Sequence, residues 1–297
     1  MSERPSTFRI WLLASRPKTL PAALVPVLVG SAFAARAGAF QWEAAALCLG
    51  FALLVQIGTN FANDYFDYVQ GADTAQRVGP ARAVASGWVA PATMRTAMVL
   101  VFALALVVGF GLIPFGGWWL LPVGLLSIVC GIAYTGGPYP LGYHGLGDIF
   151  VFLFFGLVAV GATFWVQART LTVEVLLAAA AIGALAANIL VANNYRDRAT
   201  DAVAGKRTLV VRLGERAGRW QYGAAVLLSG AVPVVLWVRG VGAGALLALG
   251  ALPLGVDCWR RLRPTAPAPA LIGLLARTAA HLALFGGLLA AGVGLGR

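Results

Sequence analysis

Nine apolar runs follow one another along this chain, each long enough to cross much or all of a bilayer's hydrocarbon, about 30 Å thick. They span approximately Leu20–Phe40, Glu43–Ala62, Ala97–Ile113, Trp119–Tyr134, Ile149–Gln167, Val173–Ala192, Tyr222–Val238, Ala243–Cys258 and Leu271–Val293. A backbone in lipid must satisfy its own N–H and C=O groups, and uninterrupted apolar runs of this length do so as helices. Composition agrees, since 60% of the 297 residues are hydrophobic and only 11% are charged, far from the soluble norm. No linker or low-complexity segment interrupts the series. The expectation is one all-α polytopic domain over residues 1–297, a nine-helix transmembrane bundle in contact with membrane lipid.

The basic residues orient the bundle. With the N-terminus cytoplasmic, the inside segments carry seventeen Lys and Arg, against four in the outside segments, Arg36, Arg169, Arg239 and Arg297. That bias predicts the N-terminus inside and the C-terminus outside. The net charge of +11 therefore reports topology, and no nucleic-acid partner is expected. Cys48, Cys130 and Cys258 lie singly in apolar stretches, without metal-ligand spacing, and read as inert thiols.

Against this background a repeated pentapeptide stands out. Asn63-Asp64-Tyr65-Phe66-Asp67 and Asn193-Asn194-Tyr195-Arg196-Asp197 share the pattern Asn-(Asp/Asn)-Tyr-x-Asp, each where an apolar run gives way to a polar loop. Each copy gains a later acid, Asp73 in the first and Asp201 in the second. Four runs separate the two copies, an even number, so both emerge on one face, the cytoplasmic one. On a helix, Asn63 and Asp67 share a stripe, and Asn193, Asp197 and Asp201 form another about 12 Å long. Gly71 is expected to end the first of these helices and leave Asp73 on the following turn. Two carboxylate clusters of this kind suit Mg²⁺ bridging to a phosphate-bearing substrate. Basic residues follow both: Arg77 and Arg82 after the first, Lys206 and Arg207 after the second, suited to neutralising phosphate. The segment from Gly136 to Gly145 is rich in turn formers and reads as a lid.

These residues resemble the UbiA superfamily of intramembrane aromatic prenyltransferases. The likeness rests on Asn-Asp-Tyr-x-Asp with a later Asp, and on Asn-x-x-Arg-Asp-x-x-x-Asp-x-x-x-Gly-Lys-Arg-Thr, and it covers nearly the whole chain. The displaced acid Asp73, with Ser15-Arg16-Pro17-Lys18-Thr19, Val78-Gly79-Pro80, Ala85-Ser86-Gly87 and Tyr134-Thr135-Gly136-Gly137-Pro138-Tyr139-Pro140, is similar to the superfamily's 1,4-dihydroxy-2-naphthoate branch. The resemblance implies Mg²⁺ held by Asn63, Asp64, Asp67, Asp73, Asn193, Asp197 and Asp201. It implies a polyprenyl diphosphate whose leaving group meets Arg77, Arg82, Lys206 and Arg207. An aromatic acid, 1,4-dihydroxy-2-naphthoate, would be the acceptor, with Arg16, Lys18, Tyr134 and Tyr139 around it; 4-hydroxybenzoate or homogentisate are the related alternatives. Asp67 and Asp197 would carry the catalysis, with Tyr65 and Tyr195 shielding an allylic cation. The enzyme would sit in a bacterial-type inner membrane with its site towards the cytoplasm. Two other classes fit less well. A CDP-alcohol phosphotransferase would need Asp-x-x-Asp-Gly-x-x-Ala-Arg, which is absent, and an ion or lipid transporter would place its acids at mid-membrane rather than at helix ends.

Overall fold

The computed structural model describes residues 4–73, 79–264 and 266–295, and among them every regular element is helical. In chain order the principal elements are α1 (Thr7–Ala14), α2 (Pro21–Arg36), α3 (Trp42–Val69), α4 (Pro91–Phe110) and α5 (Leu120–Ala133). They continue with α6 (Gly147–Ala168, π-helical over Phe152–Val158), α7 (Val173–Val203), α8 (Leu209–Val238), α9 (Leu252–Arg261, after a 3₁₀ segment Ala243–Ala251) and α10 (Leu274–Leu295). Helix occupies each of the nine expected stretches. Among the described residues six helices (α3, α4, α6, α7, α8 and the stretch Ala268–Leu295) are long and apolar enough to cross a membrane. The pair Thr7–Thr19 and Pro21–Arg36, bent by 53°, makes a seventh if counted as one span. The count differs from nine because α5 has 14 residues and Ala243–Arg261 divides into two short pieces, each below the length that hydrocarbon demands.

Each helix that carries a copy of the repeated pattern packs along the helix that follows it, α3 on α4 and α7 on α8. The main core gathers Val25, Ile182, Leu185, Phe285 and Leu289 from α2, α7 and α10, with α6 and α8 around them. A second core ties α3 to α4 through Phe61, Met94, Met98 and Phe102. Cys48 and Cys258 are buried and Cys130 is half-buried, all as free thiols.

The helices that bear the pattern overrun their apolar stretches by about two turns in α3 and about three in α7, so the polar residues stand on ordered helix rather than loop. Both then stop by the same device. Gly71 takes φ +68° while the Ala72 N–H returns to the Asp67 carbonyl at 2.8 Å. Gly205 takes φ +73° while the Lys206 N–H returns to the Asp201 carbonyl at 2.8 Å. Positive φ suits glycine, which has no Cβ to clash, and the returning N–H satisfies a carbonyl that the helix end leaves open.

Candidate active site

The two helix ends meet in space. Lys206 Nζ, just past α7, lies 3.0 Å from Asp67 Oδ1 on α3. Asp67 is 2% exposed and is the centre of the contact. Arg82 Nη2 approaches its other oxygen at 3.1 Å, and the Tyr143 hydroxyl donates to Oδ1 at 2.8 Å. The Lys206 ammonium also sits over the Tyr143 ring, 4.7 Å from its centroid. Three segments that are remote in sequence, 79–90, 134–146 and 204–208, thus converge on one carboxylate. Burial pushes the Tyr143 phenol well above its usual range, and the Asp67 charge pushes it further in the same direction.

Local sequence explains how each partner is aimed. In the segment Gly205-Lys206-Arg207-Thr208, Gly205 ends α7, Lys206 reaches Asp67, and Thr208 accepts from the Val211 N–H to cap α8. The Arg207 N–H donates to the Tyr143 carbonyl at 2.7 Å, and Arg212 Nη1 donates to the His144 carbonyl at 3.2 Å, so the segment 134–146 is tied down on the ends of both helices. Thr135 Oγ1 donates to Asn63 Oδ1 at 2.9 Å and Gln70 Nε2 to the Thr135 carbonyl at 2.8 Å, which docks the same segment on α3.

The expected ligands divide into those the structure assembles and those it employs otherwise. Arg82 Nε also lies 3.7 Å from Asp73 Oδ1, so Asp67 and Asp73 share one guanidinium. Asp64 was expected among the metal ligands. Both its oxygens instead accept backbone N–H groups, from Ala83 and Val84 at 3.1 Å each, and so hold the loop that presents Arg82. In the second copy Arg196 binds Asp197 through both oxygens, at 2.7 and 2.6 Å, and Asn193 Oδ1 at 2.6 Å. Asp201 stands on α7 one turn beyond Asp197. Arg207 has an exposed side chain and contributes through its backbone. Arg77 lies outside the described residues.

The tyrosines of the pattern do not face the carboxylates. A residue two positions from Asn63 or Asn193 is turned about 200° around the helix, away from the acid stripe. Tyr195 is fully buried between α7 and α8 beside Val210 and Tyr222, and Tyr65 packs on the α3–α4 core. Tyr139, 56% exposed, stacks on His144 with ring centroids 3.6 Å apart, outside the cluster. Tyr134 does reach the interior, where it helps line a cavity.

That cavity, about 170 Å³, lies between α2, α3, α4, α5 and α6 and has almost wholly apolar walls. Phe51, Phe150 and Phe154 are among its lining residues; Gln56 and Thr59 bound it within two turns of Asn63 along α3, and Tyr134 bounds it from the end of α5. The chain before α2 seals the same region. Asn60 Nδ2 donates to the Ser15 carbonyl at 2.9 Å, Gln56 Nε2 donates to Thr19 Oγ1 at 3.1 Å, and Arg16 donates to the Asn60 carbonyl at 3.3 Å. Arg16 adopts φ +51°, a strained conformation for a residue with a Cβ, and this turns its side chain back onto α3. Lys18 is exposed.

Tyr143, Thr135 and Arg196 are the contacts that sequence reading missed as site residues. Tyr143 lay inside the lid segment and Arg196 at the variable position of the pattern, so both were in view without a signal for their direction. Among the described residues no three acids, histidines or cysteines form a ready ion cage, because bases separate the acids. The donor chemistry nevertheless fits a hard divalent cation: all-oxygen side chains from two helix ends that touch across a 3.0 Å contact.

The sequence profile of the UbiA prenyltransferase family matches residues 23–276. A Mycobacterium tuberculosis protein named 1,4-dihydroxy-2-naphthoate octaprenyltransferase is 42% identical over 231 residues, covering 78% of this chain and 79% of its own. The Escherichia coli protein of the same name is 41% identical over 240 residues, covering 78% and 77%. The fold is shared with a UbiA homolog from Archaeoglobus fulgidus bound to GPP and Mg²⁺, with TM-score 0.63 and 16% identity over 94% of this chain and 99% of that one.

Proposed function

The chain belongs to the UbiA prenyltransferase family, and from that premise we propose that it moves a polyprenyl group from polyprenyl diphosphate to 1,4-dihydroxy-2-naphthoate. Diphosphate and carbon dioxide leave, and the product is demethylmenaquinol for menaquinone synthesis. The observation that carries this reading is the meeting of both helix ends on Asp67, above an apolar cavity lined by aromatic side chains. The names of the relatives support the acceptor.

The hard oxygens of Asn63, Asp67, Asp73, Asn193, Asp197 and Asp201 are the donors for Mg²⁺, which neutralises the diphosphate and makes it a good leaving group. Lys206 and Arg82, already within 3.0–3.1 Å of Asp67, stand where diphosphate oxygens arrive and take up their charge. The isoprenoid tail lies in the apolar cavity. The phenyl rings and Tyr134 along its wall keep water from the allylic cation until the acceptor carbon attacks. Tyr143 holds Asp67 in place and, with residues 134–146, roofs the site against the aqueous phase. Arg16, aimed at α3 near Asn60, is the first candidate for the acceptor carboxylate, ahead of the exposed Lys18. The domain runs over residues 1–297 with nine spans, the shorter helices completing the bundle, in a bacterial-type inner membrane with this site on the cytoplasmic side.

The test is to incubate the purified protein with Mg²⁺, a polyprenyl diphosphate and 1,4-dihydroxy-2-naphthoate, 4-hydroxybenzoate or homogentisate in turn, and to weigh the products. The reading expects a decarboxylated prenyl adduct of the naphthoate. A product from only one of the other acids would move the chain to that acceptor, and full turnover in excess chelator would remove the metal.

A further inference from the structure

Arg196 occupies the fourth position of the repeated pattern, where the first copy has Phe66. Its side chain is 2% exposed, yet its hydrogen bonds to Asn193 and Asp197 stay within about one turn of its own helix. With two short bonds to Asp197 and one to Asn193, it covers three of the oxygens that would otherwise face an incoming cation. A guanidinium is suited to this because its planar fork matches a carboxylate. Phe66 does something different: it packs beneath the start of the 134–146 segment, where a Cβ on Gly136 would come within 2.7 Å of its ring.

We propose that Arg196 is a built-in counter-ion, which gives up Asp197 when a divalent metal binds there and pairs with the substrate's diphosphate instead. The proposal rests on the metal-dependent prenyl-transfer reading above and gives a role to a residue that reading leaves unused. Asp197 is 7% exposed and both its oxygens already accept from Arg196, so a divalent ion arriving there meets a guanidinium held against the same two atoms. If the metal takes Asp197, Arg196 is left as a buried cation next to new positive charge, a costly state unless an anion enters with the metal. The diphosphate is that anion. Arg196 therefore couples the two: metal alone must expel a well-bonded guanidinium, whereas metal with diphosphate exchanges one set of partners for another. Such coupling is reciprocal by linkage. Lys206 and Arg82 stand in a similar relation to Asp67, but they come from loops, whereas Arg196 is fixed beside its acid by the helix itself.

The experiment uses the full-length protein in detergent, without prenyl substrate, and titrates Mn²⁺ at buffered free concentration with and without inorganic pyrophosphate. Bound Mn²⁺ is read by electron paramagnetic resonance. Wild type is expected to bind Mn²⁺ at least about tenfold more tightly when pyrophosphate is present. Arg196→Gln should bind Mn²⁺ alone about tenfold more tightly than wild type, and its gain from pyrophosphate should shrink to less than about threefold. Arg196→Lys keeps the charge but not the fork, so it should bind Mn²⁺ alone more tightly than wild type while keeping a larger pyrophosphate gain than the Gln variant. Wild-type values in Arg196→Gln, or weaker binding of Mn²⁺ alone, would overturn the proposal and leave Arg196 as a brace for Asp197. Should the Gln variant fail to fold, Arg196→Lys decides, since an unchanged affinity for Mn²⁺ alone refutes the exchange. If wild type binds no Mn²⁺ under either condition, the metal-dependent reading itself fails, which is a different result from a bound metal that ignores Arg196.

Discussion

Asp67 and Asp197 occupy the same place in two copies of one pattern, yet they are neutralised in different ways. Asp67 receives Arg82, Lys206 and Tyr143 from three loops, up to 139 residues away. Asp197 receives Arg196, its immediate neighbour. The helix ends differ in step with this. The closing N–H bond returns to Asp67 itself in the first copy and to Asp201, four residues beyond Asp197, in the second. The position equivalent to Asp201 is then Gly71, the helix stop, and the third acid moves into the turn as Asp73. One additional turn of helix thus separates a copy completed by tertiary structure from a copy nearly complete in itself. The first copy senses how the loops are placed, and the second is set by α7.

The largest effect that tests this difference is chemical. If both copies serve one diphosphate, as proposed, Asp67→Asn and Asp197→Asn should each lower turnover by roughly a thousandfold or more, since a carboxamide cannot replace the charge. A variant that kept half its activity would mean that the copies act separately. Next is Asp64→Ala, which strands the Ala83 and Val84 N–H groups and should cost roughly 2–5 kcal/mol of stability. It should show as a lowered denaturation midpoint in detergent with a smaller loss of turnover than Asp67→Asn, which removes the charge that Arg82 and Lys206 share. If the two variants exchanged these behaviours, Asp64 would return to the ligand set and the loop-holding role would be wrong.

Smaller effects sharpen the comparison. Tyr143→Phe removes one bond to Asp67 and should lower kcat/KM about tenfold, close to 1.4 kcal/mol. The raised pKa of that phenol means that it keeps its proton, and hence its bond to Asp67, as pH rises. The loss should therefore be the same at neutral pH and at about pH 9, below the ordinary phenol range. A loss confined to neutral pH would show that Tyr143 ionises within that interval. The smallest effect is expected for Tyr195→Phe, which changes a ring packed against α8 and should leave kcat within about twofold. A loss of a hundredfold would place Tyr195 against the reacting carbon and contradict its position here.

Much of this was legible in the sequence, because hydropathy, helix period and glycine stops are local signals. The helical stretches, the emergence of acids at helix ends and the closure at Gly71 follow from residues close together in the chain. The same local geometry, applied to Tyr65 and Tyr195, would have turned them away from the acids, since two residues make little more than half a turn. The partners of Asp67 were different. Lys206 and Arg82 were predicted by charge, as phosphate ligands, but their pairing with Asp67 depends on how loops 139 and 15 residues away fold back. Tyr143 and Thr135 lie in a segment that reads only as turns. Their bonds to Asp67 and Asn63 arise because the Arg207 N–H and the Gln70 amide pull that segment down, which no period or composition records.

The ends of α3 and α7 lie together on one face. Gln70 and Gly205, just beyond the two copies, border the same pocket together with Tyr143 and Arg207. With Cys48, Cys130 and Cys258 replaced by Ser, the double variant Gln70→Cys/Arg207→Cys should be joined within one chain by a short bifunctional thiol reagent. That link should form in native membranes, and each single variant should react with an impermeant thiol reagent from the same side. Helix ends on opposite faces would stand about 30 Å apart across the hydrocarbon. No intramolecular link, with the two single variants labelled from opposite sides, would contradict the account.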